Sequence, residues 1–136
     1  GSAILGSREF IEEARRLRKR LGGAMRQVGI LAAGALYGLE HHVERLAEDH
    51  VHARRLAAGL AEMPGVKVTP SQVETNMVVA EFPLPVREML GKLASHGVLA
   101  GSTGTGPNTV RLVTHLDVSS TDVDEGLARI RRALAG

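Results

Sequence analysis

Two basic side chains stand beside a glycine pair in a setting suited to an anion. Lys19 comes just before Gly22-Gly23, and Arg26 follows four residues after Gly22. A glycine turn next to a helix N-terminus offers backbone N–H groups and a partial positive charge, to which the two cations add. The arrangement favours a site for phosphate or carboxylate. The alternative is that the basic run 15–20 is only a solvated helix face.

A third basic residue, Arg111, lies inside the otherwise apolar stretch 110–113. Strand alternation places its side chain on the face opposite Val110 and Leu112. An arginine in this position either points into solvent or offers its planar guanidinium to a carboxylate. The residues alone leave both interpretations open.

The histidines and the glycine-rich segment 101–108 carry weaker signals. Adjacent His41 and His42 point to different sides of a helix, and no two of the six histidines have the i, i+4 spacing of a zinc-binding helix. We therefore predict no metal site. Segment 101–108 lacks the Gly-Lys-Ser/Thr ending of a phosphate-binding loop, which favours a hairpin turn.

The elements that must position these residues follow from the hydrophobic pattern, which predicts the order α-α-β-β-α-β-β-α. The predicted helices run from Ser7 to about Leu21, over about 24–63 with a break near Gly34 or Gly38, over 86–96, and from Ser119 or Ser120 onward. The predicted strands are 66–68, 76–82, 98–100 and 110–113, the last two forming a hairpin. This order predicts an α/β fold, in which helices cover one face of a small, mainly antiparallel sheet preceded by a long helix. The apolar run 28–39 indicates a helix that is buried or lies in a subunit interface.

Composition narrows the class of protein. A chain of 136 residues with 43% hydrophobic residues is expected to form one packed domain over 1–136. A net charge of +2 is too small to indicate nucleic acid or a membrane surface as partner. The longest apolar run falls short of the roughly 20 residues that a membrane span requires. The absence of cysteine fits a cytoplasmic protein.

Three stretches together resemble the low-specificity L-threonine aldolases, lyases of fold-type I that depend on pyridoxal 5'-phosphate (PLP). They are Arg18-Lys19-Arg20-Leu21-Gly22-Gly23-Ala24-Met25-Arg26-Gln27, Thr75-Asn76-Met77-Val78-Val79 and Val110-Arg111-Leu112-Val113-Thr114-His115-Leu116-Asp117-Val118-Ser119. The resemblance covers the whole chain and implies the C-terminal domain of such an enzyme, with the helix of about 24–63 as its connection.

What the resemblance implies can be assigned residue by residue. Arg26 matches the family's arginine that helps hold the PLP phosphate, and Lys19 matches a basic residue near the same phosphate. Arg111 matches the arginine that binds the α-carboxylate of the amino acid substrate. The implied reaction breaks the Cα–Cβ bond of L-threonine or L-allo-threonine to give glycine and acetaldehyde. The implied assembly is a homo-oligomer, a dimer or a tetramer.

Two departures from the family pattern accompany the resemblance. The family's Schiff-base lysine would lie a few residues before Gly1, in an N-terminal PLP-binding domain that this chain lacks, so no catalytic residue is assigned here. We therefore expect the chain alone to be inactive. The segment 101–109 is longer and richer in glycine than is usual in the family, which implies an altered substrate preference.

Two alternatives remain at this stage. One is another fold-type I enzyme, such as a β-eliminating lyase or an aminotransferase. The other is a non-enzymatic binding or assembly domain. The coding sequence upstream of Gly1 would separate them, since an in-frame lysine after a strand supports an enzyme.

Overall fold

The structure, a computed structural model, describes residues 3–136 and contains two compact units. The first unit extends to Val43 and the second runs from Glu44 to Gly136. The sequence predicted one domain over 1–136. That both units belong to a single domain of a longer protein stays a prediction.

The first unit holds two helices, α1 (Arg8–Arg20) and α2 (Val28–His41). The Ser7 side chain accepts a hydrogen bond from the Phe10 backbone N–H at 3.3 Å, which confirms Ser7 as the N-cap of α1. Gly22, with a φ of 76°, ends α1 as predicted, because a left-handed conformation there is open to glycine. Neither helix has a buried residue.

The prediction of one long helix over 24–63 is wrong. α2 ends at His41, and a separate helix, α3, covers Leu46–Ala61. The break falls at 42–45 and at neither Gly34 nor Gly38, both of which stay helical within α2. The start of α3 is held by contacts within the second unit, where the Arg45 guanidinium lies 3.1 Å from the Asp49 carboxylate.

The sheet of the second unit has three antiparallel strands in the order β1-β3-β2, and it confirms the predicted small antiparallel sheet. Its strands are β1 (Met77–Glu81), β2 (Gly101–Ser102) and β3 (Thr109–Val113).

Two predicted strands differ from the structure. Segment 66–68 makes only a single bridge, from Lys67 to Glu81. The strand expected at 98–100 lies at 101–102, because the Val98 N–H donates to the Leu93 carbonyl oxygen at 2.9 Å and so ends the preceding helix.

Helices cover one face of this sheet. α3 packs against β1, and the next helix, α4 (Val86–Ser95), packs against β3. Burial alternates along both strands, so one face enters the core and the other is exposed. The fully buried side chains of the core include Leu60, Val78, Phe82, Met89, Leu93, Val110 and Ile130.

The last helix, α5 (Ser120–Ala135), has Ser119 as its N-cap, one of the two caps that the sequence predicted, and packs on α3. Two exposed ion pairs join these helices: Arg55 to Asp124 at 2.7 Å, and Glu62 to Arg131 at 3.3 Å. Both partners advance by seven residues from the first pair to the second, so the helices run in the same direction. No helix within residues 3–136 is long and apolar enough to cross a membrane.

Candidate functional site: an exposed arginine on the open face of the sheet

Arg111 lies in the middle of β3, the central strand of the sheet. Its Cα partners are Val79 on β1 and Gly101 on β2. The side chain is exposed, while its strand neighbours Val110 and Leu112 are buried, which confirms the predicted face. The guanidinium therefore belongs to the face of the sheet that the helices leave open.

This guanidinium has no counter-charge in the described part of the chain. No carboxylate within residues 3–136 lies at ion-pair distance from Arg111. Most other arginines of the second unit are paired, namely Arg45, Arg55, Arg129, Arg131 and Arg132. Its direct cross-strand neighbours, Val79 and Gly101, carry no charge, and Glu81, the one carboxylate on the exposed face of β1, pairs with Lys67 at 3.4 Å. An unpaired planar fork on this exposed face is suited to bind a carboxylate from a ligand.

A hydrogen-bond network fixes the strand end next to Arg111. Thr114, only 1% exposed, donates its hydroxyl to the Asp49 carbonyl oxygen at 2.7 Å. Its N–H donates to the Asn76 carbonyl oxygen at 2.9 Å, and the Asn76 side-chain amide donates back to the Thr114 carbonyl oxygen at 2.7 Å. The network joins β1, β3 and α3, so it holds the backbone three residues from Arg111.

The carboxylate of Asp49 is buried and paired. Asp49 is 3% exposed, and the two Arg45 Nη atoms donate to its two oxygens at 3.1 and 3.4 Å. A buried carboxylate requires such a partner, because desolvation without one is costly. We infer that this pair positions α3, and we assign it no role in chemistry.

Lys19 and Arg26 lie in the first unit. Lys19 is in the last turn of α1, and both side chains are exposed. Arg26 sits in a turn two residues before α2, and so outside the helix, although the predicted helix of about 24–63 included it. Within residues 3–136 neither side chain forms an ion pair, which leaves both charges available to an anion.

The glycine turn contributes less than the sequence suggested. The Gly22 N–H donates to the Lys19 carbonyl oxygen at 3.2 Å, and the Gly23 N–H donates to that of Arg18 at 2.8 Å. These bonds cap the end of α1, so the two N–H groups are not free for a ligand. An anion there would rely on the Lys19 and Arg26 side chains and on the first N–H groups of α2.

The three predicted site residues are thus divided between the units. Lys19 and Arg26 belong to the first and Arg111 to the second. That these three residues bind one and the same ligand stays a prediction. In the described residues, 3–136, no three His, Cys, Asp or Glu side chains are grouped to hold a metal ion.

Comparison with known proteins places the chain. Residues 1–83 match the family described as beta-eliminating lyase. The chain belongs to this family. Low-specificity L-threonine aldolase 1 of Arabidopsis thaliana is 36% identical over 138 residues, covering 98% of this chain and 38% of that protein. Low specificity L-threonine aldolase of Escherichia coli (strain K12) is 40% identical over 136 residues, with 99% and 39% covered.

Among solved structures, the beta-eliminating lyase chain is similar to LysN, an alpha-aminoadipate aminotransferase from Thermus thermophilus complexed with N-(5'-phosphopyridoxyl)-L-leucine. The TM-score is 0.69 at 17% identity, over 97% of this chain and 37% of that one. This likeness supports the fold alone. The chain spans only 38% of the length of the Arabidopsis thaliana relative.

Sequence reasoning missed the roles of four residues: Asp49, Asn76, Gly101 and Thr114. Asn76 and Thr114 were part of the quoted motifs, yet nothing in their types predicted that they hydrogen-bond to each other. Gly101 was assigned to the hairpin turn. The structure pairs it with Arg111 through the register of β2 on β3, which the expected strand at 98–100 could not give.

Proposed function

We propose that this chain is the C-terminal part of a PLP-dependent threonine aldolase that cleaves L-threonine and L-allo-threonine to glycine and acetaldehyde. The observation that carries the proposal is the exposed Arg111 guanidinium, free of any ion pair within residues 3–136 and set on the open sheet face. Relatives that bear the threonine aldolase name, 36% and 40% identical across nearly the whole chain, support it.

Arg111 would bind and orient the substrate. Its two outer N–H groups fit the two oxygens of an α-carboxylate, which fixes both the position and the plane of that group. The network of Thr114, Asn76 and Asp49 holds the strand from which Arg111 projects. Orientation is a catalytic contribution in itself, because the scissile bond must be held in one reactive geometry.

Lys19 and Arg26 fit the cofactor's phosphate. A phosphate is a multiply charged anion, and both side chains are exposed cations, Lys19 at the end of α1 and Arg26 two residues before α2. When bound, PLP supplies the electron sink for the breaking Cα–Cβ bond. Among the residues of this chain we assign no group that moves a proton or bonds to the cofactor. Lys19, Lys67 and Lys92 lack the family's lysine context, so that lysine would come from an N-terminal PLP domain.

The complete protein would have further parts and a cellular location that the resemblance implies. An N-terminal PLP domain completes the site, and the complete protein is a cytoplasmic homo-oligomer, a dimer or a tetramer. The present chain by itself is inactive in this scheme, because it carries substrate-orienting and phosphate-binding groups only.

A product assay of the complete protein tests the function. Incubation with PLP and L-threonine, and separately with L-allo-threonine, should release glycine and acetaldehyde in equal amounts. Removal of the cofactor should abolish both products. The fold likeness to an aminotransferase makes a keto acid product the main competing outcome. A keto acid formed without acetaldehyde would reject the aldolase and favour the aminotransferase.

A further inference from the structure

Gly101, the β2 partner of Arg111, has no backbone reason to be glycine. It is not among the glycines with a positive φ, so its conformation is open to residues with a side chain. Glycine also weakens a strand, since it loses more conformational entropy on folding and has no side chain to pack. A glycine at this position therefore needs an explanation beyond the turn that follows it.

Packing does not require glycine at 101 either. Apart from its chain neighbours, the only atom within 4 Å of a Cβ built there is Nη2 of Arg111, at 3.7 Å. That distance is an ordinary contact, so alanine would fit, but a larger side chain would extend over the guanidinium. The absence of a side chain at 101 therefore leaves space beside one group, the Arg111 guanidinium.

The opposite side of Arg111 is already occupied. Val79, its partner on β1, carries a branched side chain that is 48% exposed on the same face. A ligand reaching the guanidinium along the sheet meets this side chain on the β1 side, whereas on the β2 side Gly101 carries none. Glycine within a strand often marks such a close approach of a ligand.

We propose that Gly101 is a positioning residue, which keeps the β2 side of Arg111 open so that an amino acid's α-carboxylate can lie over β2 and engage both outer N–H groups. The inference rests on the proposed function, because it takes the Arg111 ligand to be an amino acid. A side chain at 101 would restrict the carboxylate to one of these hydrogen bonds. The restriction would apply to every amino acid alike, since the α-carboxylate is common to all of them.

The test compares Gly101→Val and Gly101→Ala with Ser102→Thr in the complete, PLP-loaded protein. Ser102→Thr adds a β-branched side chain of similar size to the same strand, on the opposite face, and keeps the hydroxyl that accepts from the Gly104 N–H. Glycine and L-alanine are titrated as ligands, followed by the absorbance of the bound cofactor. Circular dichroism verifies that each variant is folded.

A second readout is independent of amino acid binding. Phenylglyoxal modifies accessible guanidinium groups, and peptide mass spectrometry measures its rate at Arg111. Arg87, exposed on α4 and without an ion pair within residues 3–136, serves as the internal reference.

Gly101→Val should raise the dissociation constants of glycine and L-alanine about tenfold, the loss expected for one charge-assisted hydrogen bond. Gly101→Ala, which is expected to fold in any case, should raise both about threefold. Ser102→Thr should leave them unchanged. Phenylglyoxal should modify Arg111 several times more slowly in Gly101→Val, with the rate at Arg87 unaltered.

Two failures can be told apart. If the unaltered protein binds neither amino acid, the proposed function is rejected, and this inference with it. If the unaltered protein binds both, and the Gly101 variants bind them equally well with an unchanged rate at Arg111, only the role of Gly101 is overturned.

Discussion

At the scale of single residues, the shape of the Arg111 side chain matters as much as its charge. Lysine would keep the positive charge but present a single ammonium in place of a planar fork. We therefore expect Arg111→Lys to weaken amino acid binding by the complete protein about tenfold or more, because one of two charge-assisted hydrogen bonds is lost. Titration with glycine measures this effect. Arg87→Lys is the control, and equal affinities in the two variants would contradict the role of the fork.

Single residues also show what sequence can and cannot predict about the site. The exposed face of Arg111 was predictable, because strand alternation is a local property with a period of two residues. The setting of Gly101 was not, since it depends on the register between β2 and β3, and the expected strand at 98–100 had the wrong bounds. Asp49 was equally hidden, because its partner Thr114 is distant in sequence.

Among the secondary-structure elements, the sheet and α3 are joined by packing and by a hydrogen bond from the Thr114 hydroxyl. Thr114→Val keeps the shape of the side chain and removes the donor to the Asp49 carbonyl oxygen. We expect a loss of about 1 kcal/mol in the free energy of unfolding. Urea unfolding of the 136-residue chain, followed by circular dichroism, measures it. Thr69→Val, at an exposed position, is the control, and an unchanged urea midpoint for Thr114→Val would refute the contribution.

The N-terminus of α5 should make stability depend on pH. The Ser119 hydroxyl and backbone N–H donate to the Asp122 carboxylate and hold its pKa below the ordinary value. A lowered pKa in the folded state means that the stabilisation is present above the unfolded-state pKa and is lost as the pH falls through the folded-state pKa.

Asp122→Asn should therefore lower the melting temperature at neutral pH and reduce its further decline in acid. Thermal unfolding over a series of pH values measures this, with Glu74→Gln, at an exposed position, as the control. A variant that keeps the full acid-dependent decline would exclude Asp122 as its source.

The helices also illustrate how far local signals reach. Ser7 was identified as a cap from sequence, and the cap of α5 was narrowed to Ser119 or Ser120, because a cap depends on the next three residues only. The sequence predicted the helix break near Gly34 or Gly38, whereas α2 continues through both glycines. Residues 42–45 contain no glycine or proline, so neither residue type that usually interrupts a helix marks this break.

For the molecule as a whole, the second unit contains the entire described core. Within residues 3–136 every buried residue lies between Asp49 and Ala133. We expect a fragment of residues 44–136 to fold without the first unit and to unfold in one cooperative transition. Calorimetry of this fragment provides the test. A gradual, non-cooperative loss of structure would show that the core needs residues 1–43.

The first unit, in contrast, has no buried core among its described residues. α2 buries no residue, and Ile30, Leu31 and Leu39 are between 60% and 76% exposed. We expect the 136-residue chain to self-associate through this helix when its natural partner, another domain or subunit, is absent. Sedimentation velocity should show oligomers that Leu31→Asp converts to monomers. Leu99→Asp, at a leucine that is 90% exposed in the second unit, should leave them intact, and a chain that is monomeric from the start would contradict the expectation.

The two ion pairs between α3 and α5 have opposite polarity, arginine to aspartate in one and glutamate to arginine in the other. Exposed pairs of this kind each add only about 0.2–1 kcal/mol, so their total effect on stability is small. If α5 docked upside down, however, Arg131 would face Arg55 and Asp124 would face Glu62. Attraction would become repulsion at both ends of the interface, so these four charges discriminate against the inverted topology during folding.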